Sequence, residues 1–145
     1  MMMNTISEEL HNVLSEFHKL VEHPLRDVRY AWIDGCLDKI FLEFDQVSLL
    51  IEAEVDYDTI IFRVINNENC ETFSSIDASH SEPWADLIGK PFGWGWVTIN
   101  QQNYLDGILL SFGLVSPNLL LSVLASSITV STINQIPDQA LMAEK

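Results

Sequence analysis

The sequence predicts an α+β fold: an N-terminal helix packed on a strongly twisted, mostly antiparallel sheet of about eight strands, with a partial barrel as its most curled form. Three observations lead there. An apolar stripe at helical spacing opens the chain, with Ile6, Leu10, Val13, Leu14, Phe17 and Val21 recurring every three or four residues. Short β-branched or alternating runs then follow one another across tight turns. The chain has 145 residues, 48 % apolar and 19 % charged, a composition that is globular and excludes intrinsic disorder. One domain spanning the whole chain is expected.

The helix is expected over about 6–21. Thr5 and Glu8 have the form of a capping box, Glu8 and Glu9 suit the positive end of the helix dipole, and Pro24 stops the element. A first β meander is expected over about 28–65, with strands at 28–33, 37–44, 48–55 and 59–65. Asp34-Gly35 between the first two is a strong hairpin signal. Residues 66–82 are polar and aperiodic and read as a long loop. Residues 83–88 suggest a helical turn closed by Gly89. A second β region is expected over about 92–133, with strands at 92–99, 104–112, 119–124 and 127–133, followed by a frayed tail at 137–145.

Charge is unevenly placed. The chain carries 21 acids against 7 Lys and Arg, a net charge of −14, which excludes nucleic acid as a partner on electrostatic grounds. Residues 1–86 hold 18 of those acids and 5 of the bases, whereas residues 107–137 hold no charge at all. A membrane-spanning helix at 107–125 would explain the gap, but Ser116-Pro117-Asn118 places a turn in its middle and no Lys or Arg flanks it. Strands shielded by sheet packing or by a second subunit fit better, and a homodimer is therefore expected. The N-terminus lacks a basic start and an apolar run, so a cytoplasmic protein with reduced thiols at Cys36 and Cys70 is expected.

The motifs that could carry chemistry are weak. Glu52, Glu54, Asp56 and Asp58 alternate toward a turn and could line one strand face, but the spacing lacks the glycine and distal glutamate of a calcium loop. They read as an acidic, solvated surface, and no metal site is expected. His11 and His18 share a helix face and His23 lies just beyond it, without the convergent ligand set that zinc needs. There is no nucleophile elbow. Glu68 and Glu71 would raise the Cys70 thiol pKa and so oppose reactivity. Gly89-Lys90 lacks the upstream glycine of a phosphate loop, because Trp84 stands there. No cofactor is expected.

Residues 84–106 are the most informative stretch. Three of the four tryptophans fall within 13 residues. Alternation places Phe92, Trp94 and Trp96 on one strand face and Gly93 and Gly95 on the other, where a ring or backbone can approach closely. Such a stripe packs on the helix or lines a ligand pocket. Asn100 to Asn103 form a polar turn, and Tyr104 and Asp106 open the next strand on a common face. Asp106, the last charge before the gap, is expected to be partly buried and hydrogen-bonded by that turn. Trp94, Trp96, Asn100, Asn103, Tyr104 and Asp106 are thus the candidate ligand- or partner-binding residues.

With Trp84, Gly89-Lys90-Pro91, Trp94-x-Trp96, the Asn100–Asn103 turn, Tyr104-x-Asp106 and the closing Ser127-Ile128 strand, residues 25–133 resemble a family of small uncharacterised bacterial proteins, a domain of unknown function. The resemblance implies a stand-alone single domain and supplies no activity. The residues favour a non-enzymatic bacterial interaction protein whose acidic surface binds a basic partner protein. The alternative is a small-molecule binding module with a Trp-lined pocket. No two catalytically competent residues stand at a spacing that supports an enzyme.

Overall fold

The computed structural model describes residues 11–12, 14–54, 58–67 and 75–133. Within them nine strands form two antiparallel sheets, not the single sheet of about eight strands expected, and no barrel closes. The first sheet has the order β4-β3-β2-β1-β5, with β1 at Asp27–Ile33, β2 at Cys36–Glu43, β3 at Val47–Glu54, β4 at Thr59–Asn66 and β5 at Ile76–Asp77. The second has the order β6-β7-β8-β9, with β6 at Phe92–Ile99, β7 at Leu105–Phe112, β8 at Leu119–Leu124 and β9 at Ser127–Thr132. Strand positions thus lie within a residue or so of those expected. What the strand pattern did not reveal is that the chain completes one sheet with β5, on the far side of β1 from β2, and starts another at β6, because hairpin signals report sequential pairing and nothing about where a sheet ends.

Local chemistry explains the hairpins. Asp34 and Gly35 both adopt positive φ, at 51° and 81°, as the tight turn between β1 and β2 requires. The β6–β7 turn is held by Asn100, whose Oδ1 accepts from the backbone N–H groups of Gln102 (2.9 Å) and Tyr104 (3.1 Å), while Asn103 takes a φ of 67°. Within the expected loop 66–82, Ile76–Asp77 adds β5 to the edge of β1. Residues 68–74 of that loop, the expected tail at 137–145, the capping pair Thr5 and Glu8, and helical positions 6–10 and 13 lie outside the described residues.

The sheets face each other across one apolar core. The first contributes Val28, Ile40, Leu42, Leu49, Ile51 and Ile60, and the second Phe92, Ile108, Leu110, Phe112, Leu119, Leu121 and Ile128. β9 packs on β2, and β4 packs on β7. Residues just before β1 join the layers: Glu22 and Leu25 donate backbone N–H groups to the carbonyls of Phe92 (2.9 Å) and Lys90 (3.0 Å), and Phe92 and Gly89 return the pattern to His23 (2.9 Å) and Leu25 (2.7 Å). A single extended run therefore pairs first with the start of the second sheet and then, from Asp27, with the first. Trp84, wholly buried in a short 3-10 turn at Trp84–Asp86, donates its indole N–H to the Tyr30 hydroxyl. Burial pushes the Tyr30 phenol above its ordinary pKa, partly opposed by that hydrogen bond.

The helix is shorter than the expected 6–21 at its C-terminal end: residues 14–18 are helical and 19–22 form a turn. It does not lie on the broad face of a sheet. Glu16 Oε2 accepts the backbone N–H of Val64 on β4, an edge strand, at 3.0 Å. Phe17 is fully buried, stacked on Phe62 of β4 with ring centroids 4.8 Å apart, and it also meets Phe92 and Trp94 of β6 at 6.1 Å. Both β4 and β6 are edges, so the helix covers the open side of the two-sheet stack and occupies backbone groups that could otherwise recruit another strand. The bare face of Gly95 admits the Phe17 ring: a methyl there would stand 2.4 Å from Phe17 Cε1.

Gly95→Ala is accordingly expected to destabilise the protein by roughly 1–3 kcal/mol, because neither the ring nor the strand can yield without disturbing the core. Urea denaturation checks this. A lower midpoint at an unchanged slope is the expected result.

Candidate functional site

A β-bulge rearranges the tryptophan segment. Phe92 opposes Phe112 on β7, but Trp94 opposes Ser111, so Gly93 is the extra residue. A methyl on Gly93 would collide with the Leu114 carbonyl and Ser111 Oγ, both 2.5 Å away. The expected common face for Phe92, Trp94 and Trp96 is therefore corrected. Phe92 points into the core and is 1 % exposed. Trp94 turns to the edge, its backbone N–H donating to Ser111 Oγ at 2.8 Å and its ring meeting Phe17 and, edge-on at 5.7 Å, His18. Trp96 lies on the sheet's outward face. A bulge leaves no trace in apolar alternation, because one inserted residue resets which face every earlier residue occupies.

That outward face carries little charge. Trp96 is in register with Leu109 of β7, Leu109 with Leu120 of β8, and Leu120 with Ser131 of β9. Trp96, Leu109 and Leu120 form a half-buried apolar row, since side chains in register share a face. Thr98, Ser122 and Thr129 flank it, with Ser122 and Thr129 hydrogen-bonded at 2.8 Å. Asp106 is the one charged residue in 92–133. Its Oδ1 accepts from Thr98 Oγ1 at 2.6 Å. The expected partner for Asp106 was the Asn100–Asn103 turn. Instead Asn100 spends its side-chain oxygen on the turn itself, and the cross-strand neighbour Thr98 supplies the donor. Asn100 and Asn103 thus shape the hairpin, and Tyr104 is exposed at its end.

The acidic run is not one line of free carboxylates. Glu52 lies 4.0 Å from Arg63 and opposite Lys39, and Glu54 lies opposite Thr59. Asp58 accepts the backbone N–H of Ser126 at 2.9 Å, tying the β3–β4 end of the first sheet to the β8–β9 turn of the second. Asp56 and Cys70 lie outside the described residues. Among the described residues, no group of three or more His, Cys, Asp or Glu could hold a metal ion, and no helix is long and apolar enough to cross a membrane.

Among the described residues, three depressions are lined without Trp94 or Trp96. One of about 60 Å³ is lined by Leu50, Glu52, Ile61, Phe62 and Arg63. An apolar groove of about 570 Å³ runs past Val21, Phe92 and Gly93 to Leu114 and Val115, the latter 95 % exposed. The third, about 430 Å³, is polar and was not foreseen: it gathers Arg26, Asp27, Asp77, Ser79 and His80 beside Ala85 and Ile88. Ser79 is buried at its floor. Its Oγ accepts the Val28 N–H at 2.9 Å and donates to Asp27 Oδ1, while Asp77 Oδ1 accepts the Ser79 N–H at 2.8 Å. Asp27 Oδ2 takes Arg29 Nε at 3.0 Å. Ser79 and Val28 are 51 residues apart, so the cluster has no sequence signature beyond the Asp-x-Ser turn at 77–79.

Two exposed carboxyl groups sit below their ordinary pKa. A 2.5 Å hydrogen bond from His23 Nδ1 lowers Asp45, and the backbone and side-chain hydrogen bonds from Ser79 lower Asp77, helped by His80 and Arg29. The His23–Asp45 contact fixes the β2–β3 turn to the run that joins the two sheets.

A family model described as a family of unknown function (DUF6334) matches residues 6–137. No curated protein and no solved structure matches the chain.

A depressed carboxyl pKa means that the folded state is stabilised above the ordinary value of 3.8 and that this contribution is lost as pH falls through the lowered one. Asp45→Asn and Asp77→Asn are therefore expected to melt below the parent protein at neutral pH, with the gap closing in strong acid. Thermal melts across the acid range test this. A gap that persists in strong acid would show that the hydrogen bonds act independently of charge.

Proposed function

We propose that this chain, which belongs to a family of unknown function (DUF6334), is a non-enzymatic interaction protein that binds a basic partner protein. The observation that carries the reading is the outward face of the second sheet, where Trp96, Leu109 and Leu120 form an apolar row with Asp106 as the one charge in 92–133. The rest of the chain accounts for nearly all of the −14. Two physical roles separate accordingly. The acidic remainder attracts a basic partner over distances of a Debye length and raises its association rate. The uncharged row supplies the desolvated centre in which a tryptophan contributes most. A binding surface that was acidic throughout would steer equally well but would pay desolvation on every carboxylate it buried. The reading takes the protein to be bacterial and cytoplasmic, with the half-buried Cys36 a free thiol.

A second copy of the chain is the competing occupant. Two molecules of charge −14 repel over most of their surface, and the outward face of the second sheet is where they could meet with few opposed carboxylates. Such a homodimer would be two-fold symmetric, with row against row.

Affinity capture with the full chain, followed by identification of the retained proteins, tests the reading. A basic protein should be retained at low ionic strength, released as salt rises, and lost on Trp96→Ala with folding intact. Retention that is indifferent to both salt and Trp96→Ala would overturn it. Light scattering on the purified chain separates the two occupants: a monomer that binds the basic protein supports the proposal, whereas a dimer dispersed by Trp96→Ala assigns the face to self-association.

A further inference from the structure

We infer that the depression between the start of β1 and the 77–88 segment is a binding site for a small aliphatic zwitterion, a molecule carrying a carboxylate and an ammonium group on a short apolar body. The argument begins with which hydrogen-bonding groups are already used. Asp27 spends Oδ1 on Ser79 and Oδ2 on Arg29. Ser79 spends its hydroxyl on Val28 and Asp27 and its N–H on Asp77. Arg26 and His80 also line the depression, and neither side chain makes a hydrogen bond to another among the described residues. The Arg26 guanidinium, anchored at its backbone by a 2.7 Å hydrogen bond to the Glu43 carbonyl, can take a carboxylate in its two-pronged geometry. Asp77 Oδ1 accepts the Ser79 N–H, and its exposed carboxylate, which His80 and Arg29 also face, keeps lone pairs to accept from an ammonium group.

The remaining walls select further. Ala85 and Ile88 form the apolar side, which suits a short aliphatic chain. At about 430 Å³ the space falls within the roughly 300–1,000 Å³ of small-molecule sites. A phosphate dianion would bring two negative charges against Asp27 and Asp77, and a simple amine would face Arg26. One positive and one negative charge on the same ligand answers both, and this cluster of Arg26 and His80 is unusual in a chain with seven Lys and Arg in all.

Titration of the isotopically labelled full chain by amide NMR tests the inference with three probes that differ by one group each: L-leucine, 4-methylpentanoate, which lacks the ammonium, and 3-methylbutylamine, which lacks the carboxylate. L-Leucine is expected to shift the amides of Asp27, Ser79 and Ala85 saturably, and each single-charge analogue to bind about tenfold or more weakly. Arg26→Gln and Asp77→Asn, both exposed positions, should each weaken L-leucine by a similar factor while the spectrum stays that of the folded chain. Absence of saturable shifts at about 10 mM L-leucine, or equal binding of all three probes, would overturn it.

Discussion

The Phe17 ring holds this fold together at its most vulnerable place. A two-sheet stack made of open antiparallel sheets has four edges, and here two of them, β4 and β6, lie on the side that Phe17 covers. Phe17 bridges that side, stacked on Phe62 and seated on the bare backbone of Gly95, while Glu16 occupies the Val64 N–H. A larger residue at 95 would push the ring out, and a smaller one at 17 would leave a gap between sheets. The helix is thus an edge cover more than a layer.

Around that wedge, the molecule separates its surfaces by chemistry. On the first sheet two of the acids are paired with bases, Asp27 with Arg29 along β1 and Glu52 with Arg63 across β3 and β4, but acids outnumber bases and the local charge stays negative. The second sheet instead satisfies its outward polar groups by cross-strand pairs of neutral or singly charged residues, Thr98 with Asp106 and Ser122 with Thr129. Neutral hydroxyls flanking Trp96, Leu109 and Leu120 keep the face soluble without fixing water as tightly as carboxylates do. That division gives the proposed docking surface its physical basis.

The polar depression shows another consequence of the fold. Ser79 is there to dock the 77–79 turn onto β1, and its bonds to Val28 and Asp27 do so completely. With Asp27 engaged by both Ser79 and Arg29, Arg26 and His80 stay at the rim without a hydrogen bond to it. A structural network has thereby produced a set of groups with unspent hydrogen-bonding capacity.

How much was legible beforehand follows from the range of each signal. Turn chemistry is local, so Asp34-Gly35 and the asparagines at 100 and 103 marked their hairpins, and all four strands of each expected β region lie where alternation and β-branching put them. The apolar stripe announced a helix with Phe17 on its buried side, and the charge-free stretch announced strands packed against the core. The candidate residues fared according to the same rule: Asn100 was legible as a turn residue, but the partner of Asp106 and the faces of Trp94 and Trp96 were not. Those depend on two register shifts along β6, the bulge at Gly93 for the tryptophans and the irregularity between Thr98 and Ile99 for Asp106, where one residue of register decides which side chains meet. The split into two sheets, the helix laid over their edges, and the meeting of Asp27 with Ser79 were settled only in three dimensions, because each joins segments too distant in the chain for any local pattern to encode, and core packing alone selects among the pairings that such patterns allow.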